Sequence, residues 1–127
     1  MKTIIKTHLA PAPIGPYNQA IRKDHLLFVS GQIAINPESN TLVLESIEAE
    51  TKQVMENIKH ILIVAETNFD CVLKTTIFLK DMNDFVKINE IYGSYFNDKT
   101  APARETVQVS GLPKNVNVEI SMIAYCN

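Results

Sequence analysis

The chain has no tryptophan, only two cysteines and four glycines, and 7% aromatic residues across 127 positions. The two cysteines, Cys71 and Cys126, stand at no CxxC or metal-ligand spacing, which excludes a disulfide framework and leaves two expected free thiols. The longest uninterrupted aliphatic run, Ile61 to Ala65, is far short of the roughly 20 residues a membrane-spanning helix needs. The opening MKTIIKTHLA lacks the apolar segment and cleavage site of a secretory signal, so a cytoplasmic location is expected. Neither sign of charge dominates: 12 Lys and Arg stand against 14 Asp and Glu, a net charge of −2. Without a basic block, the electrostatic footprint of a dedicated nucleic-acid binder is missing. No GxGxxG, Walker A loop or PLP-type lysine context occurs, so no cofactor is expected. His8, His25 and His60 share no ligand spacing, so no metal is expected either.

What is present fits one domain over residues 1–127. The chain is 46% hydrophobic, and this length buries roughly two-thirds of the surface the unfolded chain exposes. The stretch Pro11, Pro13, Gly15, Pro16 cannot be helix or central strand, because proline removes backbone donors and fixes φ. It reads as a shaped loop. Gln19–Arg22 and Leu26–Ile35 read as strands around the turn Lys23-Asp24-His25, with Gly31 marking a bulge or a close backbone approach. From Ser46 the period changes: Ile47, Thr51, Val54, Ile58, Ile61, Leu62 and Ala65 recur at three- and four-residue steps, the pattern of an amphipathic helix of about five turns. Ser46 is its expected N-cap, Glu48 and Glu50 complement its dipole, and Asn68 is its expected stop.

Cys71–Leu79 reads as a central strand, and Asp81 with Asp84 opens a second helix with apolar positions Phe85, Ile88, Tyr92, Tyr95 and Phe96. Asn89 falls on the expected buried side of that helix, where its amide needs partners. Ala103–Val109 and Val116–Tyr125 flank the turn Ser110–Asn115 and read as a hairpin. Strands followed by two helix-strand units imply an α+β sandwich with both helices on one face of a mixed sheet. The other face needs a cover, and another copy of the chain is the simplest one, which makes a closed homo-oligomer the expectation.

The terminal strands hold the best candidate chemistry. Alternation places Arg104, Thr106 and Gln108 on one face of the first and Asn117, Glu119 and Ser121 on one face of the second. A turn centred between Leu112 and Pro113 sets Thr106 opposite Glu119 and Arg104 opposite Ser121, so Arg104 and Glu119 become diagonal neighbours roughly 7–8 Å apart at Cα. A guanidinium can grip a carboxylate while a glutamate polarises water. The bland alternative is a cross-strand ion pair worth at most about 1 kcal/mol. Ser30 precedes a glycine but lacks the G-x-S-x-G elbow, so it is a strand serine or a substrate-contacting hydroxyl and not a nucleophile. Tyr17 is either packed on the core or turned toward a ligand.

The segments GPYNQA (15–20), FVSGQI (28–33), ETKQVMENIKHIL (50–62), FVKINEIYGSYF (85–96) and PARETVQVSGLPKNVNVEI (102–120) resemble the reactive-intermediate deaminase family, the Rid or YjgF-like proteins. The resemblance runs nearly end to end, and the spaced set of GPY, SGQ, N-x-x-Y, PAR and LP-x-x-x-x-x-E is specific as a combination. It implies a chorismate-mutase-like α+β sandwich with a mixed six-stranded sheet. It further implies a homotrimer around a central barrel, with clefts at subunit interfaces. The implied activity is hydrolysis of small enamines and imines such as 2-aminoacrylate and 2-iminobutanoate to 2-oxo acids and ammonia, which protects PLP enzymes. Carried over by motif, Arg104 matches the carboxylate-gripping arginine and Glu119 the glutamate of the attacking water. Tyr17, Ser30, Gly31 and Asn89 match cleft positions. Thr106 stands where many deaminase members have cysteine, a position whose contacts run through backbone groups. Two rivals from other classes are a non-catalytic trimer that binds small carboxylates and an RNA-directed translation inhibitor or endoribonuclease.

Overall fold

The computed structural model describes all 127 residues. Eight strands and two helices follow in chain order: β1 (Thr3–Ile5), β2 (Ala20–Lys23), β3 (Leu26–Gln32), β4 (Ile35–Asn36), β5 (Thr41–Leu42), α1 (Ile47–Val64), β6 (Val72–Leu79), α2 (Phe85–Gly93), β7 (Ala103–Gln108) and β8 (Val118–Tyr125). Six strands form a mixed sheet in the order β1-β2-β3-β8-β6-β7, and β4 pairs with β5 apart from it. Both helices cover one face, which is the α+β sandwich implied by the sequence. No helix is long and apolar enough to cross a membrane.

Helix α1 forms where the spacing places it. Ser46 is extended and its Oγ accepts from the Ala49 amide, and the helix buries Val54, Met55, Ile58, Ile61 and Leu62. These pack on Leu27, Val29, Ile77, Leu79, Val118, Ile120 and Met122, one cluster with the inward-facing strand residues. The stop differs from the expectation at Asn68. The helix ends at Val64, Glu66 turns into the left-handed region (φ 61) and the Thr67 amide returns to the Leu62 carbonyl. Such a 6→1 bond ends a helix without a glycine. Asn68 instead caps the next short 3-10 turn through Asp70 N–H. Asp81 likewise caps a 3-10 turn, Met82–Asp84, and α2 begins after it at Phe85.

The strand expected from Leu26 to Ile35 breaks at Gln32. The register to β8 shifts between Val29 and Gln32, so the bulge expected at Gly31 is present. The larger correction concerns β7 and β8, which do not form a hairpin. β6 lies between them, antiparallel to β8 and parallel to β7. The physical reason is the crossover: β6, α2 and β7 make one βαβ unit, which delivers β7 beside β6 at the sheet edge. The chain then passes through a 3-10 turn at Pro113–Asn115, with Lys114 and Asn115 at positive φ, and enters β8 on the far side of β6.

The sheet face away from the helices is partly apolar and open. Ile4, Phe28 and Val107 are each more than two-fifths exposed, and Lys74, Thr76 and Glu105 form a polar cluster among them, with Lys74 Nζ 3.0 Å from Glu105. Cys71 and Cys126 are both free thiols.

Candidate active site

The residues singled out from the sequence fall into two groups on opposite faces of the sheet. The first surrounds Glu119, which lies opposite Phe78 on the open face at the start of β8. A cleft of about 360 Å³ there is lined by Ile14, Tyr17, Ser30, Gly31, Pro113 and Glu119. Gly31 is required by proximity, not by its own φ. A Cβ at this position would sit 2.8 Å from both Cδ and Oε2 of Glu119, so only a glycine lets the carboxylate lie across the β3 backbone. Ser30 donates its hydroxyl proton to the Asn18 carbonyl at 2.6 Å, which ties β3 to the proline loop and leaves the oxygen as an acceptor toward the cleft. Tyr17 is 45% exposed and belongs to the loop rather than the core; its hydroxyl accepts from the Ile14 amide.

Burial raises the Glu119 carboxyl above its ordinary value, with no charged neighbour contributing. The folded chain therefore holds this proton more tightly than the unfolded chain does. Such a group favours folding most below its unfolded pKa, and the benefit disappears as pH rises through the folded value. Glu119→Gln is accordingly expected to melt higher than the parent at pH 7. The gap should close as pH falls toward about 4, near the pKa of an unfolded glutamate, and equal melting curves at pH 7 would refute the burial argument.

The second group surrounds Arg104 on the edge strand β7. Arg104 is in register with Thr75, whose side chain is buried under α2, so it faces the helix side of the sheet. Its Nη1 donates to Asn89 Oδ1 at 2.7 Å, and its guanidinium lies 5.1 Å from the Tyr92 ring centre and 5.8 Å from that of Phe85. Tyr92 is itself fixed by its hydroxyl on Thr75 Oγ1 at 3.0 Å. Asn89 is therefore exposed rather than buried as the helix pattern suggested, and its partner is the arginine. Thr106 shares the helix-side face of β7, and its Oγ1 is buried with no hydrogen-bond partner, an arrangement that costs about 1–3 kcal/mol. β7 closes the sheet order, so its outer row of backbone donors and acceptors is unpaired within the chain.

Arg104 and Glu119 are thus not the diagonal neighbours of a hairpin. Their register partners on β6 are Thr75 and Phe78, which separates them by roughly 10 Å along the strands and about 10 Å across them, on opposite faces. The cross-strand ion pair is absent for the same reason; the salt bridges are Lys23–Asp24, Lys59–Glu56 and Lys74–Glu105. Alternation assigns a face to each residue of a strand relative to its neighbours in that strand. It does not say which way a whole strand is rolled relative to another.

Two buried polar residues that support the cleft have no signal in the hydrophobic pattern. Glu50, expected only as a dipole-complementing residue of the first helical turn, turns inward and is completely buried. Its carboxylate accepts from the Asn117 amide and side chain, each at 2.8 Å, and from the Val118 amide at 3.2 Å, clamping the chain just before Glu119. Gln19 is also buried and is hydrogen-bonded only to backbone groups of Thr7, Ala10 and Pro11.

A family profile described as Endoribonuclease L-PSP matches residues 7–126. The chain is 51% identical to a RutC family protein of Pyrococcus horikoshii, over 98% of each chain. It is 44% identical to the 2-iminobutanoate/2-iminopropanoate deaminase of Mus musculus, over 98% of this chain and 91% of that one. The crystal structure of E. coli TdcF with bound serine superposes with a TM-score of 0.92 at 37% identity, covering 98% of this chain and 99% of that one. On these matches, which span both GPYNQA and the PAR-to-Glu119 segment, the chain belongs to the Endoribonuclease L-PSP family, the group of RutC, RidA and YjgF-like proteins.

Proposed function

We propose that this protein hydrolyses small imino acids, 2-iminobutanoate and the imine of 2-aminoacrylate, to the 2-oxo acid and ammonia, at sites completed between copies of the chain. The observation that carries this reading is the state of Arg104. Its guanidinium is held by Asn89 and two aromatic rings yet meets no carboxylate in its own chain, which is the arrangement for gripping a carboxylate from elsewhere bidentately. A related protein, E. coli TdcF, holds serine, a small acid of the same dimensions. The mouse relative is named for the two imines themselves.

The reaction needs little covalent machinery. The enamine tautomerises to an imine; water adds to the protonated C=N carbon, the C–N bond of the resulting carbinolamine breaks, and ammonia leaves as the carbonyl forms. Glu119, uncharged more readily than an exposed glutamate, takes a proton from the water and returns it to the departing nitrogen, a role typically worth 10²–10⁴-fold. Arg104 supplies the orientation. Because the two groups lie on opposite faces of one chain, one substrate can meet both only if a second copy presents its β7 edge to the Glu119 cleft. The open apolar sheet face supplies the surface for that contact, in a closed ring for which the family resemblance suggests three copies. Such imines are released by PLP-dependent dehydratases acting on serine and threonine, and their removal spares those enzymes. The cytoplasm is the proposed location.

RNA cleavage, the activity in the family description, is the rival reading. The cleft offers one carboxylate and no imidazole, and the chain is net acidic, so the geometry favours the small acid. The test is a mixing experiment. Arg104→Ala and Glu119→Gln are each expected to be inactive alone; after unfolding and refolding together in equal amounts, about one quarter of shared sites carry both groups under random assembly. Deamination near a quarter of the parental rate is the expected result. Mixed oligomers without activity would sink the shared site, and degradation of RNA by the pure parental protein would favour the rival.

A further inference from the structure

We infer that Gln19 is a positioning residue that holds the loop wall of the cleft and thereby sets how tightly the substrate is bound. The inference rests on the reading of the cleft given above. The segment between β1 and β2 contributes Ile14 and Tyr17 to the wall facing Gly31 and Glu119. Its three prolines and one glycine deny it a regular backbone ladder. Only the buried Ala10 anchors it to the hydrophobic core.

Gln19 takes the place of that ladder. Its Oε1 accepts from the Thr7 amide at 2.7 Å, and its Nε2 lies 2.9, 3.1 and 2.8 Å from the carbonyls of Thr7, Ala10 and Pro11. Two amide hydrogens serve three carbonyls, so one is shared, and the group's donor capacity is used in full. The Gln19 main chain is fixed in turn, since its carbonyl accepts from the Ser30 amide at 2.9 Å. One residue therefore links the loop entrance and its proline corner, through its side chain, to the strand that carries Ser30 and Gly31, through its main chain. Neither aspartate nor glutamate could replace it when ionised, because a carboxylate has no hydrogen to offer the carbonyls. Glu119 and Arg104 make no contact with Gln19 in these bonds, so the wall acts on binding and leaves the proton transfers intact.

The test uses Gln19→Leu in the full-length, assembled protein. Thermolysin cleavage within residues 7–17 is expected to be at least about tenfold faster, with the cooperative thermal transition retained. The KM for 2-iminobutanoate is expected to rise at least about tenfold with kcat within about threefold of the parent. A merely structural role would lower the active fraction, and with it kcat, at constant KM. An unchanged cleavage rate, or faster cleavage with unchanged KM, overturns the proposal. If the parental protein turns over no imine, the reaction assignment has failed, and the Gln19 proposal is read from titration with 2-oxobutanoate: weaker binding by Gln19→Leu supports it, and equal binding overturns it. If the variant does not fold, amide exchange in the parent decides. Thr7 N–H should be protected like Ser30 N–H, and exchange as fast as that of the exposed, unbonded Ala12 N–H overturns the proposal.

Discussion

Arg104→Ala is expected to lower kcat/KM for imine hydrolysis by at least about 10²-fold while the chain folds and assembles as before. The size follows from what is lost: two charge-assisted hydrogen bonds to the substrate carboxylate, each worth about 1.5–3 kcal/mol, where 1.4 kcal/mol is a factor of ten. The stability effect is small because the side chain is exposed. Its bond to Asn89 and its contacts with Phe85 and Tyr92 are at the level of about 0.5–1 kcal/mol for such exposed stacking. Arg104→Lys should fall between the two, since it keeps the charge and loses the planar fork. The measurement is 2-oxobutanoate formation while threonine dehydratase generates the imine and semicarbazide competes for it. A parental rate from Arg104→Ala would remove the arginine from the mechanism.

Glu50→Ala should have the largest effect on stability, a loss of at least about 3 kcal/mol from three donors left unsatisfied at about 1–3 kcal/mol each, against a total of about 5–15 kcal/mol for a domain. The carboxylate is fully buried and receives three donors, two of them backbone amides at the start of β8. Alanine leaves all three without an acceptor, the Val118 amide in a fully buried place and the two Asn117 groups in a half-buried one. Glu50→Gln should cost no more than about 1 kcal/mol. Its oxygen can still serve the Asn117 and Val118 amides, and Asn117 can flip its own amide to accept from the new NH₂. Urea unfolding of the three proteins separates the cases. An alanine variant as stable as the parent would show that water replaces the carboxylate. A glutamine variant as damaged as alanine would show that the charge itself is needed.

The parts of the fold legible in the sequence are those governed by local rules. The three- and four-residue spacing of Val54, Ile58, Ile61 and Leu62 specifies α1 and its buried side, and Ser46 marks its start. The β-branched run ending at Leu79 specifies β6, and Gly31 inside a strand pattern marks the bulge. The helix stops short of Asn68 because Glu66, a residue with no special left-handed preference, adopts the αL turn. Asn89 lies on the Phe85–Tyr92 side of α2, as its spacing gives, but that side reaches over the edge strand β7, so its amide meets Arg104 and stays exposed.

The candidate site was legible as a set of residue types and illegible as a geometry. Arg104 and Glu119 stand out through the motifs that carry them. Their separation does not, because strand alternation reads the same whether β8 pairs with β7 or with β6. Gln19 escapes because a polar residue in a short segment carries the same one-dimensional signal whether it is solvated or buried among backbone donors and acceptors. Glu50, four residues before Val54 on the buried side of α1, escapes because an acid in the first helical turn reads equally as a complement to the helix dipole.

By itself the sequence determined the two helices and the longer strands, their apolar inward-facing residues, the family and the list of chemically competent side chains, since each depends on spacing or identity along the chain; the short β1, β4 and β5 carry too few residues for a period. The tertiary structure alone decided that β6 separates β7 from β8, that Arg104 and Glu119 lie on opposite faces of the sheet, and that Glu50 and Gln19 clamp the backbone around the cleft. Those outcomes depend on which strands share backbone hydrogen bonds and which polar groups lose water together. Both are settled by the packing of segments far apart in the chain, about which local periodicity carries no information.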